Sequence, residues 1–280
     1  MTRPRLVRTC AAGVLAAAGL LLMNSFAPLQ LPSVLVYSGL VVCAAGVLSI
    51  LAPPRWLGFS RRIHGLLAGV AMGAVLFAAG WYWPAQTSTV PSRVSRLDAF
   101  MPSYDFHEHH EAIIRAPAAR VREALNRVSF ADIGVMQTLG TIRAVAMGQI
   151  RAAREAKGVA PRVPIVEMIQ SPRSGFFPLA DTPGEFVFGL AGQPWNNRGV
   201  RLKPEEFCEW APPDTVKIAA NFRLADAGNG RTRVVTETRI VASDGTARRK
   251  MAQYWALIYP GSGLVRCSLL EAVRERAEHN

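Results

Sequence analysis

Apolar residues follow two different rhythms along this chain. Up to about residue 83 they come in unbroken runs, near Thr9–Ala27, Val34–Leu51 and Gly65–Trp83. Between Thr9 and Pro54 there is no charged residue at all. Each run is close to the ~20 residues that a helix needs to cross the hydrocarbon core of a bilayer. Pro28, Pro32, Pro53 and Pro54 punctuate the gaps, where helices have to stop. Trp81, Tyr82 and Trp83 close the third run like an interfacial aromatic belt. The pattern predicts a membrane anchor of three transmembrane helices over residues 1–83, with the lipid bilayer as its first partner.

Beyond this anchor the apolar residues turn periodic. Residues 84–97, with Gln86-Thr-Ser-Thr-Val-Pro-Ser92, read as a polar linker. Residues 98–280 then carry the elements of one soluble domain. Phe106 to Arg115 reads as a strand, and Pro117 suits the first position of a helix that aligns Val121, Leu125 and Val128. A second helical pattern runs from Asp132 to Lys157 and is stopped by Gly158 and Pro161. A short helix is expected over Ile165–Gln170. Strands are expected at Gly175–Asp181, Glu185–Ala191, Phe207–Trp210, Thr215–Ala225 and Arg231–Val241. Asp226-Ala-Gly-Asn-Gly230 is a hairpin signal between the last two. A final helix starts at Asp244, is expected to kink or break at Pro260-Gly-Ser-Gly263, and resumes with Leu264, Leu270 and Val273.

On the Thr215 strand, Val216, Ile218, Ala220, Phe222 and Leu224 share one face. Lys217, Asn221 and Arg223 share the other, which the alternation predicts to be wet. Glu237 is expected to pair with Lys217 across the next strand. A strand, two helices, several antiparallel strands and a long C-terminal helix make an α+β pattern.

Charge refines this picture. The net charge is +12, and Arg3, Arg5, Arg8, Arg55, Arg61 and Arg62 beside the apolar runs supply half of it. The remainder is a mildly basic domain with no basic stripe interleaved with aromatics, so nucleic acid is not an expected partner. The loop Asn24–Ser33 carries no positive charge, whereas Arg55–Arg62 carries three. Positive-inside asymmetry therefore places the C-terminal domain outside the cytoplasm. A cleaved signal peptide in place of the first helix leaves it on the same side. Gly69 and Gly73 form a Gly-x-x-x-Gly pair, either a close helix contact or the ordinary glycine content of membrane helices.

Candidate chemistry is sparse. His107 and His109 share a strand face with Glu111, but no further metal ligand is evident, and no metal, cofactor or catalytic residue is expected. Ser262 sits in Pro-Gly-Ser-Gly with no strand before it, so a nucleophile elbow is not supported. Cys208 and Cys267 either pair in an oxidising compartment or stand as two buried thiols.

Four stretches carry a resemblance: Ile114-Arg-Ala-Pro-Ala-Ala-Arg-Val121, the hairpin from Leu179 to Gly192, Thr236-Glu-Thr-Arg239, and Tyr254-Trp255 with Pro260-Gly-Ser-Gly263. With the order of elements over Tyr104–Ala277, they resemble the helix-grip fold of the START-like superfamily, or SRPBCC, which includes polyketide cyclase-like proteins. The resemblance implies a curved antiparallel sheet around the C-terminal helix and a cavity between them for lipids or other apolar molecules. It transfers no catalytic motif. The cavity is expected to be lined by Phe186, Phe188, Leu190, Ile218, Ala220, Phe222, Thr236, Thr238, Met251 and Trp255. The expected function is a membrane-anchored, non-catalytic binding module for an apolar small molecule or lipid. The alternatives are a cyclase- or dehydratase-like enzyme using His109 or a cavity acid as base, and a structural subunit that meets a membrane-protein partner.

Reporter fusions at Gln30 and after Arg96 are expected to read as external to the cytoplasm. A cytoplasmic signal at the second site overturns the topology.

Overall fold

The computed structural model describes residues 29–51, 61–134, 162–172 and 174–279. The first expected transmembrane run and nearly all of the expected helix Asp132–Lys157 lie outside these residues. The chain divides into two compact units. One holds the residues up to Pro84 together with Ala252–Pro260; the other holds Ala85–Met251 together with Gly261–Asn280.

In the first unit, helices α1 (Leu31–Leu48) and α2 (Arg62–Trp81) are both long and apolar enough to cross a membrane. Pro32 does not stop α1 but sits in its first turn, where a missing N–H costs nothing. The two helices meet at glycines. A Cβ added at Gly46 would lie 2.8 Å from the Gly69 Cα, and one at Gly73 would lie 2.6 Å from the Cys43 N and the Gly39 O. The Gly69–Gly73 pair therefore marks a close backbone approach. Tyr37 Oη also donates to the Leu257 carbonyl at 2.7 Å.

The second unit is an antiparallel sheet with helices on both faces. Its strands are β3 (Phe106–Ile114), β4 (Phe177–Thr182), β5 (Glu185–Gln193), β6 (Arg198–Val200), β7 (Val216–Asp226) and β8 (Thr232–Ala242). The order is β3-β8-β7-β5-β4, with β6 paired to the end of β5. The expected hairpin joins β7 to β8, and Gly228, Asn229 and Gly230 supply the positive φ angles that its turn requires. Within the stretch read as linker, β1 (Ser88–Thr89) pairs with β2 (Ser103–Tyr104).

One face of the sheet is covered by α4 (Ala118–Arg127), α5 (Ile165–Gln170) and the C-terminal part of α7 (Gly245–His279). Phe186, Phe222, Val234, Leu125, Ile169 and Val273 lie in this core. Of the kink or break expected at Pro260-Gly-Ser-Gly263, the break does not occur: helix α7 continues through Pro260. An interior proline removes one helical N–H and costs about 3 kcal/mol. Buried residues on both sides, from Met251 to Val273, offset that loss.

The opposite face was expected to be wet, and the structure corrects this. A second core forms there from α3 (Arg96–Phe100), Met101, Phe177, Val187 and Ala219, closed by α6 (Pro204–Phe207). The expected strand Phe207–Trp210 does not form: Phe207 ends α6, and a turn at Cys208 and Glu209 follows. Pro204 occupies its first turn, and Glu206 caps it by accepting from the Lys203 N–H at 2.9 Å. Phe207 then packs edge-on to Phe177 and Phe100.

The cover makes polar partners obligatory. Asn221 is 0% exposed and donates to Glu185 Oε1 at 2.7 Å. Glu185 in turn accepts the Arg96 and Leu97 N–H groups and so fastens the start of α3. Arg239 is 4% exposed and reaches Asp98 and Glu237, each at 2.7 Å. The pairing of Lys217 with Glu237 does not form. The register sets Asn221 opposite Glu237, and Lys217 donates to the Cys208 carbonyl at 2.6 Å.

Gly73→Leu is expected to lower the melting temperature of the detergent-solubilised chain by several degrees, because its side chain would run into the Cys43 thiol and the backbone of Gly39 and Cys43. Gly245→Ala, whose new methyl meets open space at the first residue of α7, is expected to leave it unchanged or raise it. Equal melting of Gly73→Leu and the parent protein would show that the helices do not approach at these glycines.

Candidate functional site

Register and alternation together lay out the sheet face beneath α7 as a grid. Across β5, β7, β8 and β3, one row reads Phe186, Phe222, Thr236, His110. The next reads Phe188, Ala220, Thr238, Glu108, and the third reads Leu190, Ile218, Ile240, Phe106. The face is therefore aromatic on the β5–β7 side and polar on the β8–β3 side. Phe188 stacks between Phe186 and Phe222 with centroids 5.8 and 5.7 Å apart. Of the residues expected to line a cavity, Phe186, Phe188, Ala220 and Phe222 lie in one buried core cluster. Leu190 and Ile218 are adjacent and only partly buried, and Thr236 and Thr238 are buried at the polar border. Met251 is fully buried. Trp255 belongs to the first unit, and its indole N–H is buried without a partner among the described residues.

The polar half joins Glu108, His110 and Arg266, to which the sequence pattern assigns no role, with Ser262 and Cys267, which it offers for other chemistry. Glu108 has no exposed side-chain surface. It accepts from His110 Nε2 at 2.9 Å and from Ser262 Oγ at 2.6 Å. Arg266 Nε stands 4.0 Å from the same carboxylate, and Arg266 Nη1 donates to Thr236 Oγ1. Cys267 Sγ lies 3.6 Å from His110 Nδ1. Ser262, Arg266 and Cys267 come from the turns of α7 beyond Pro260, so the unbroken helix brings them over the sheet. The Thr238 hydroxyl, cross-strand from Glu108, is buried with no partner among the described residues.

The electrostatics of this cluster are set by burial against pairing. For His110, burial alone pulls the imidazole down. Hydrogen bonds and charge from Cys267 and Glu108 outweigh it and lift the group to about 9. At neutral pH the ring is therefore an imidazolium that donates from both nitrogens. Burial pulls Arg266 down, opposed by the Glu108 charge. On the far face, burial pushes Asp98 and Glu237 up, but hydrogen bonds hold both below the usual carboxylate range. Asp98 gains from Val94, Arg239 and Ser95; Glu237 gains from His107 and Arg239.

The strand alternation carried a signal for this cluster. Phe106, Glu108, His110, Ala112 and Ile114 occupy one face, and the apolar ends of that series mark it as buried. What no local pattern shows is that Ser262, 154 residues away, meets Glu108. His109, considered as a base, is on the opposite, exposed face. Cys208 is exposed and Cys267 partly buried; both are free, and no disulfide joins them. No family model, curated protein or solved structure matches the chain.

His110 generates a pH prediction. Its folded pKa, about 9, is above the ordinary ~6.5. Its contribution to stability is thus fully present below about pH 6.5 and lost as pH rises through 9. The melting temperature of the detergent-solubilised chain is expected to fall across that window, and His110→Gln is expected to flatten the decline. An identical slope in the variant refutes the assignment.

Proposed function

We propose that this chain is a membrane-anchored, START-like helix-grip protein that binds an apolar small molecule or lipid bearing an acidic group, without converting it. The anchor comprises three spans over residues 1–83, and the domain of residues 98–280 lies on the extracytoplasmic side. Two helices of membrane-crossing length and an antiparallel sheet under a long C-terminal helix support this reading.

The observation that carries the ligand chemistry is the divided sheet face. Its aromatic half suits a hydrocarbon body against Phe188, Ile218 and Leu190. Its polar half offers the Arg266 guanidinium and the unpartnered Thr238 hydroxyl to a carboxylate or phosphate. A buried hydroxyl without a partner costs roughly 1–3 kcal/mol, which a ligand oxygen beside it removes.

His110, oriented by Glu108, favours a second reading, since a buried histidine steered by a carboxylate is the acid–base group that a cyclase- or dehydratase-like enzyme needs.

The test uses the full chain in lipid nanodiscs. An anthroyloxy-stearate probe is expected to bind saturably, and its methyl ester more weakly. Arg266→Met and the milder Thr238→Val are each expected to weaken the acid by about tenfold, near 1.4 kcal/mol. Equal binding of acid and ester, or none above empty nanodiscs, overturns the proposal. Conversion of a co-purified molecule that requires His110 and not His109 selects the second reading.

A further inference from the structure

On the other face of β3, the sheet supplies the ligand that sequence spacing could not. His107 and His109 are two residues apart and project to the same side. The β3–β8 register sets Glu237 directly opposite His109 and Arg239 opposite His107. We propose that His107, His109 and Glu237 form a binding site for a divalent transition metal of the zinc class.

The geometry carries the assignment. One ligand atom from each residue can be chosen so that all lie within 4.8 Å of one another. A tetrahedral metal with bonds near 2.0–2.1 Å holds its ligand atoms about 3.3 Å apart. His107 Nε2 and Glu237 Oε1 are 2.9 Å apart, so they close on such an ion with a small outward shift. His109 Nε2 also stands 3.7 Å from Glu111 Oε2, so a second carboxylate flanks the site on the His109 side.

The mobile and the fixed members are suitably divided. The two histidine side chains are 37% and 42% exposed, so their rings can turn onto an incoming ion. Glu237 is 14% exposed and is held by Arg239 Nε at 2.7 Å, the kind of outer support that orients a metal-binding carboxylate. Arg239 is itself anchored by Asp98, so this buried trio carries one negative charge in excess next to the histidines. Two imidazoles with carboxylate select zinc, nickel or copper over magnesium and calcium. The site lies on β3, an edge strand of the sheet, and an ion there ties this edge to β8. It shares no side chain with the cluster beneath α7.

The experiment is isothermal titration of Zn2+ into the tag-free full chain in detergent, stripped beforehand with a chelator. The expected result is one saturable site, with a melting temperature that rises on zinc addition. Replacing Zn2+ by Co2+ should give the intense visible absorption of a four-coordinate centre. His109→Ala, at an exposed position, is expected to fold normally and to lose at least tenfold in zinc affinity. His107→Ala should behave alike, and the double variant should lose both the heat and the absorption. Unchanged titration in the double variant, or no saturable heat in the parent protein, overturns the site.

Discussion

Where helices cover the sheet, the polar side chains beneath them have no water available, and much of this molecule's second unit follows from that constraint. Every charged group folded into it must find its counterpart in protein. Arg239 does so through Asp98 and Glu237, and this trio holds α3 against the sheet. Glu108 does so through His110 and Ser262, which holds α7 against the opposite face. Removing one partner of such a buried pair typically costs 3–5 kcal/mol, since the other charge is then stranded. The two clusters are thus fasteners as well as candidate chemistry, one for each layer of helices.

Strand β3 concentrates this logic in four residues. His107-Glu-His-His110 presents two groups to each side of the sheet. On the inner side Glu108 and His110 are buried beneath a helix; on the outer side His107 and His109 stay within reach of solvent. The same short motif therefore serves two environments with opposite demands. One has to neutralise charge in a dry interior, and the other keeps its imidazoles partly in solvent beside Glu237 and Glu111.

Much of the architecture was legible from local pattern. The period of two in Val216–Leu224, the glycine turn after Asp226 and the apolar face of the C-terminal helix each have a direct counterpart in the fold. The failures share a cause. The wet face of β7 was inferred from Lys217, Asn221 and Arg223, yet whether a polar residue meets water depends on what packs above it, and here α3 and α6 do. A kink or break at Pro260 is what the local penalty predicts, and buried residues on either side of it keep α7 continuous there. For the candidate site, Phe186, Phe188, Phe222, Thr236 and Thr238 could be placed on one face from alternation alone. Arg266 and Cys267 could not, because helical spacing says which residues share a side but not which strand lies beneath them.

The sheet order has a consequence for how the protein is made. Strand β3 emerges early, but its strand neighbour among the described residues is β8, which ends at Ala242. The groups that satisfy Glu108 from α7 come later still, at Ser262 and Arg266. During synthesis, at roughly 5–20 residues per second, β3 therefore waits for several seconds with its edge unpaired and its carboxylate still hydrated. Contacts this distant in sequence also slow folding itself. The charged residues of β3 then have a protective use before they have a structural one, since an alternating charged strand is a poor template for pairing with the wrong chain.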